Sequence, residues 1–422
     1  MNKNTRIIAK SLKKRNRSES TFRLMGLLGI ISAISFLVII LFSIINEGKK
    51  AFVSTQIKLD IFFDSKILDP GNSGKITEIE NANYQTLIKA SLLNYFPDIK
   101  TRNDQRDLLS MISSSEQENL MRTLTNDISL MNTKKEFWLK SSSKYDVINK
   151  NPEMIDFAEE DRLISNQQLF WFNELKKDNR VKFGFNKIFF TAADSTEPEQ
   201  AGIWGSVMGS FFTLFVTLLL SFPIAVAAGV FLEELAPKNR FTHFIEVNIN
   251  NLAAVPSIIF GLLGLAIFLN VMHLPRSAPL VGGMVLALMT LPTIIIATRA
   301  SLKAVPPSIR EAAIGMGATK MQTVTHHVLP LSMPGISTGT IIGMSQALGE
   351  SAPLLMIGMV AFIVDVPESF LDSSTVLPVQ IYLWKSTAAR GFVELTAAGV
   401  LVLLTFLISV SYTHLRAHET IA

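Results

Sequence analysis

Across 422 residues the chain is 48% apolar, carries a formal net charge of +4 and contains no cysteine; its mean hydropathy is +0.34. That is too apolar for an ordinary soluble protein of this length, and the lack of thiols excludes disulfides and thiolate metal sites. The basic excess lies mostly beside apolar runs, where membrane topology explains it, so it gives no reason to expect nucleic-acid binding.

Residues 1–21 are a basic segment, with Lys3, Arg6, Lys10, Lys13, Lys14, Arg15 and Arg17, and Arg23 follows. Residues 22–45 then form the first transmembrane helix, its core being the uncharged run 24–45, long enough to cross a bilayer. The run is too long for a signal peptide and no small-residue cleavage site follows, so it reads as an uncleaved anchor. Five more candidate spans lie near 203–232, 250–272, 279–298, 333–364 and 392–410, giving six. The positive-inside rule keeps the N-terminus in the cytoplasm. Counting from there puts residues 306–330 in the cytoplasm, with Arg299, Lys303, Arg310 and Lys320 in support, and 273–278 and 365–390 outside.

Residues 46–202 form a polar, mixed-charge block between the first two spans, long enough for a small extracytoplasmic domain. Leu109, Ile112, Leu120, Leu124, Ile128 and Met131 keep a mostly helical spacing, with a start at 101–104. Trp138, Phe170, Trp171 and Phe172 are candidate core, and Asp69-Pro70-Gly71-Asn72 reads as a turn. The nearby Gly71-Asn72-Ser73-Gly74-Lys75 lacks the first glycine of a phosphate-binding loop and has Ile76 in place of Ser or Thr. The block contains no histidine and shows no catalytic constellation. These features predict a largely helical, loosely specified accessory module.

The apolar core, 203–410, carries more specific signals. In the fifth span Gly335, Gly339, Gly343, Ala347 and Ser351 make a small-residue stripe suited to close helix contact, within this subunit or with a partner. Glu350 lies in the same span. A carboxylate there is costly and points to function, facing a cation, a polar cavity or a subunit interface. Pro353 should break the helix just beyond it, as Pro223, Pro256 and Pro292 interrupt other spans. Between the fourth and fifth spans, Pro306 and Pro307 stop one helix. Ser308 stands three residues before Glu311 in capping-box spacing, so a helix should start there. Ala312 and Ala313 give it a small face, Gly315 and Gly317 interrupt it, a second short helix is expected over 318–327, and Pro330 and Pro334 frame the next span.

The segment 306–330 resembles the EAA loop of ABC-importer permeases: Glu311-Ala312-Ala313, Gly317 and Leu329-Pro330 fit its spacing, with His327 at a position that is more often apolar. Four further stretches resemble PstA-type permease subunits of bacterial phosphate ABC importers. They are Phe190-Thr191 with Glu197 through Gly205, Glu233-Glu234-Leu235-Ala236-Pro237, Asn250 through Ser257, and Gln346-Ala347-Leu348-Gly349-Glu350-Ser351-Ala352-Pro353-Leu354-Leu355. The resemblance covers about half of the chain. It implies an α-helical polytopic membrane protein of the ABC importer permease fold, with six transmembrane helices and a large insertion between the first two. The expected place is a bacterial inner membrane. The implied partners are a PstC-like permease in a heterodimer, a PstB-like ATPase dimer seated on the EAA loop, and a periplasmic phosphate-binding protein. The implied cargo is inorganic phosphate. This chain would be no enzyme and bind no cofactor, ATP being used by the ATPase. Many members carry Arg where this chain has Gln346, so Arg299 becomes the candidate cation for Glu350. The tail 411–422 departs from the basic end usual in the family, and His414 and His418 receive no role. A molybdate or sulfate importer is the nearest rival. A membrane receptor would place a signalling domain after the second span, where four further spans follow instead.

Overall fold

The computed structural model describes residues 3–71, 74–360 and 362–419. Asn72 of the expected turn and Ser73 after it lie outside these, as do the first residues of the basic segment and the last of the tail. Helix α1 (Lys3–Gly48) is unbroken for 46 residues. None of its apolar window is covered by the rest of the chain. It meets the core at its C-terminal end, where a Cβ on Gly48 would stand 3.0 Å from the backbone of Ala397 and Ala398.

The insertion is mostly helical, as expected, but its helices pack on a three-stranded sheet that the sequence reading did not include. In chain order it comprises β1 (Val53–Phe62), α2 (Ser65–Leu68), α3 (Ile76–Glu80), α4 (Tyr84–Tyr95), α5 (Arg102–Leu109), α6 (Glu116–Asn126), β2 (Lys134–Lys140), α7 (Ser143–Lys150), α8 (Asn166–Lys177), β3 (Val181–Phe185) and α9 (Lys187–Thr191). The sheet is antiparallel with order β2-β1-β3. Its central strand alternates by two, the period of a half-buried strand: Ile57, Leu59 and Ile61 are buried while Gln56, Lys58 and Asp60 are only partly covered. Leu92, Leu120, Leu124, Trp171 and Phe172 close the core over the apolar face. The unit is therefore well packed rather than loosely specified. Trp138 is not core: it pairs in register with Lys58 on the other face, and the Lys182 ammonium sits 4.0 Å from its ring centroid. Phe170 is also outside, 60% exposed. The expected helical series from Leu109 to Met131 is divided, because α5 ends at Leu109 and α6 begins only at Glu116.

The core comprises α10 (Trp204–Val230), α11 (Arg240–Ala253), α12 (Ser257–Gly264), α13 (Pro279–Ala304), α14 (Pro307–Gly315), α15 (Lys320–Thr323), α16 (Leu329–Gly349), α17 (Ala352–Met356), α18 (Leu377–Ser386) and α19 (Gly391–Glu419). Among the described residues α1, α10, α13 and α19 are long and apolar enough to cross a membrane. The run 250–272 is not one helix. It holds the end of α11 and all of α12, which meet at 100° across the break before Ser257. Helix α16 is 21 residues long, but Ser, Thr, Gly and Pro dilute its apolarity and it is not among the four. Close approach at small residues joins these helices. A Cβ on Gly283 of α13 would meet Val216 of α10 at 2.5 Å, and one on Gly339 of α16 would collide with Ala297 of α13.

The insertion is locked to the core rather than hung from it. Lys150 of α7 meets Glu394 of α19 at 2.8 Å and Asp146 at 2.6 Å, with the Lys150 and Glu394 side chains each 5% exposed. Nearby, Gly391 abuts the Ser143 hydroxyl and the Pro198 ring.

Candidate functional site

The 306–330 segment forms a bent hairpin of short helices. Its first helix starts earlier than the capping-box spacing predicts. Pro306 occupies the N-cap and Pro307 the first turn, with no side-chain cap bond, so Ser308 lies inside the helix and is exposed. Proline suits that first turn because its missing N–H is not needed there. The true capping box is one element later, where Thr319 and Gln322 exchange side-chain-to-backbone bonds at the start of α15. Between the two helices Gly317 takes φ +91°, a conformation open to glycine and strained for other residues. The second helix does not stop at His327. It runs through a π-helical stretch, Val324–Val328, directly into α16, with Pro330 in that helix's first turn and Pro334 inside it.

An ion-pair network fixes this hairpin to the membrane helices. Helix α10 ends in a π turn carrying Glu233 and Glu234. Carboxylates at a helix C-terminus oppose the helix dipole and call for cations. Arg310 of α14 supplies one: its Nε and Nη2 donate to Glu234, Nη2 at 2.5 Å, while Nη1 and Nη2 also reach the Val305 and Leu302 carbonyls at 2.8 and 2.9 Å. One guanidinium thereby fills the open carbonyls at the end of α13 and grips the end of α10. Arg299 of α13 donates to Glu233 at 3.3 Å and to Glu246 of α11 at 2.7 Å, and Lys303 stands 3.4 Å from Glu233. Sequence reasoning read Arg310 only as a topology marker and did not single out Glu246. The signal within reach was the acidic pair at the end of one span facing Arg299 and Arg310 around the next turn.

Beyond this clamp the hairpin presents an open surface. Ala313 is buried, but Glu311 and Ala312 are exposed, and Ile314, Met316 and Met321 are 55%, 79% and 56% exposed.

The second place of interest is the end of α16. Glu350 is its C-cap, with extended backbone (φ −81°, ψ 126°), rather than a residue within a continuous span. Ser351 caps α17, where Pro353 stands in the first turn. That short helix packs on α12: a Cβ on Gly261 would lie 2.7 Å from the Pro353 backbone. Two interrupted helices thus meet, an arrangement tolerated in a membrane only where protein or a cavity receives the freed backbone groups. Glu350 is partly buried and Gln346 is exposed; the Glu350 amide donates to the Ala347 carbonyl, but among the described residues its carboxylate has no hydrogen bond or ion pair. The expected pairing with Arg299 is absent because Glu233 and Glu246 already occupy that guanidinium. The small-residue stripe serves packing inside this chain: Gly335 and Gly339 face Ser301 and Ala297 of α13, Gly343 faces Ile294 at 3.5 Å, and Ala347 is buried. Ser351, the last of the stripe, lies past the helix end.

Two family models match the chain. Residues 221–418 match the binding-protein-dependent transport system inner membrane component, and residues 9–158 match a domain of unknown function, DUF3333. The probable ABC transporter permease protein YqgI of Bacillus subtilis is 34% identical over 168 residues, 40% of this chain and 56% of the relative, so the match spans little more than half of that protein. The phosphate transport system permease protein PstC of Haemophilus influenzae is 31% identical over 218 residues, 46% of this chain and 68% of the relative. The corresponding PstA of the same organism is 27% identical over 224 residues, 52% of this chain and 76% of the relative. A solved structure of the MetNI methionine ABC transporter covers 52% of this chain and 97% of its own at 20% identity, with a TM-score of 0.42. With a relative at 31% identity matched over 68% of its length, the chain belongs to the family of integral-membrane permeases of binding-protein-dependent transport systems.

Proposed function

We propose that this chain is a PstA-type permease subunit of an ATP-driven phosphate importer. In this reading it spans a bacterial inner membrane six times, α11–α12 and α16–α17 supplying the spans that composition marks less clearly. It holds the insertion outside and the 306–330 hairpin in the cytoplasm. A PstC-like permease completes the pore, a PstB-like ATPase dimer supplies the energy and a periplasmic binding protein delivers phosphate. The names of the similar proteins support the cargo. The observation that carries the coupling role is the Arg310 clamp, which pins the hairpin to α10 and α13 while leaving Ile314, Met316 and Met321 bare. A rigid support under an exposed apolar face is what a docked ATPase needs to move the helices behind it.

The test is uptake of radiolabelled phosphate into vesicles holding the four-component complex, with sulfate and molybdate as competitors. Phosphate uptake driven by ATP and resistant to both competitors is expected. Uptake of sulfate or molybdate in its place overturns the cargo. An Arg310→Met chain that assembles and transports normally overturns the coupling role.

A further inference from the structure

We infer that the β3–α9 edge of the insertion is a lipid-binding surface, seated in the headgroup layer of the leaflet where α1 ends. The inference uses only the chain's place in a membrane and is independent of the cargo proposed above. The apolar run 24–45 gives a helix of roughly 33 Å, enough to fill the hydrocarbon layer. Phe52 follows α1 by four residues, so it stands at the membrane boundary. From Phe52 an aromatic ladder runs outward: Phe190 stacks on it at 5.5 Å between centroids, and Phe185 stacks on Phe190 at 5.5 Å with the rings 6° from parallel. The ladder's level is fixed from both sides. The Asn186 amide donates to the Phe52 carbonyl at 2.9 Å, holding the end of β3 against the end of α1. The Trp204 amide, opening α10, donates to the Ala192 carbonyl just past α9 at 3.0 Å. Two membrane helices thus bracket the edge.

The exposed surface has the chemistry of the interface. Phe185 is 67% exposed, Phe190 39% and Trp204 44%, and exposed Lys49 and Lys187 flank them. Aromatic rings at headgroup level, with lysine stems reaching to phosphate, are the pattern by which proteins sit at a bilayer surface. Neighbouring anionic lipid adds attraction for the two ammonium groups. The rest of the chain leaves the apolar window of α1 uncovered, and the ladder begins at Phe52, just past that helix's end.

The cysteine-free sequence allows a direct test. Nitroxide labels are attached to full-length Phe185→Cys and, separately, Phe190→Cys, in vesicles of phosphatidylethanolamine with phosphatidylglycerol. Collision with oxygen, which concentrates in lipid, is compared with collision with a water-soluble nickel chelate. Lys66→Cys, exposed beyond the far end of β1, gives the aqueous reference, and Phe42→Cys in α1 gives the lipid reference. The expected oxygen-to-nickel ratio at 185 and 190 is several-fold above that at 66 and approaches that at 42. A ratio equal to that at 66 overturns the inference. So does shielding from both reagents, which means that a protein covers the edge.

Discussion

Removing one side of the Lys150–Glu394 pair should open the junction between the insertion and the core. The ammonium and carboxylate are 2.8 Å apart, with both side chains 5% exposed. Their gross attraction is roughly 6 kcal/mol at an effective dielectric of about 20. Desolvation offsets much of that, and leaving one buried partner alone typically costs about 3–5 kcal/mol. Glu394→Leu should fall near the lower end, because Lys150 keeps Asp146 at 2.6 Å. Lys150→Met should fall near the upper end, because it leaves Glu394 and Asp146 without their shared cation. The double variant Lys150→Met/Glu394→Leu removes both charges and should recover most of the loss. Hydrogen exchange of the α7 amides reads the opening. At about 1.4 kcal/mol per tenfold, a loss near 3 kcal/mol lowers protection on the order of a hundredfold. The surface pair Arg122–Glu118, with side chains 69% and 58% exposed, provides the control, where little change is expected. If the single variants behave like that control, or the double variant loses as much as the sum of the singles, the pair does not hold the junction.

Other consequences follow from the same geometry. Gly317→Ala should cost about 1–2 kcal/mol, all of it conformational, since a Cβ there meets nothing within 4 Å; protease cutting at the hairpin turn should rise, whereas Gly315→Ala should leave it unchanged or lower. Lys140 is held down to about 8 from its ordinary 10.5, chiefly by burial, against the pull of Asp146 and Glu199. The unfolded chain therefore binds the extra proton between these values, and the insertion's stability should climb as pH rises from about 8 to 10.5. Urea unfolding followed through buried Trp171 should show that slope, and Lys140→Met should flatten it; an unchanged slope would refute the assignment. Glu350→Ala should assemble but transport phosphate poorly, with Glu350→Gln separating charge from shape; wild-type uptake by the alanine variant at matched membrane levels would remove Glu350 from the pathway.

What could be read from sequence follows how local each signal is. Helices α1, α10, α13 and α19 each contain a long apolar run, so their positions were plain. The bend at Gly317 was also legible, because glycine readily takes φ +91°. The sheet was not foreseen. Its central strand shows the period of two in Gln56–Phe62, but β2 and β3 put Lys135, Trp138 and Lys182 on accessible faces and look like polar loop. The Ser308 cap failed because paired prolines put the N-cap of α14 at Pro306, two residues earlier, which local spacing alone did not weigh. Arg299 was paired with the wrong acid: the decisive partners, Glu233 and Glu246, lie 66 and 53 residues away and are brought together only by packing. Glu350 looked buried inside a span because apolar residues continue on both sides, whereas the backbone breaks at that residue.

The junction changes how the insertion should be understood. As an accessory module it would be replaceable by a linker across residues 58–182. Yet β1 follows α1 after one short turn, Lys49–Phe52, β3 and α9 lead to α10, and Lys150 grips α19. The unit is tied to three long helices at one end of the molecule, so none of them moves there without it. Cutting out residues 58–182 also removes Lys150 and strands Glu394, 5% exposed, in the first turn of α19. Such a deletion removes a restraint and adds an unpaired buried charge at once. Only when it is combined with Glu394→Leu does it report on the insertion itself, because the core then carries no orphaned carboxylate.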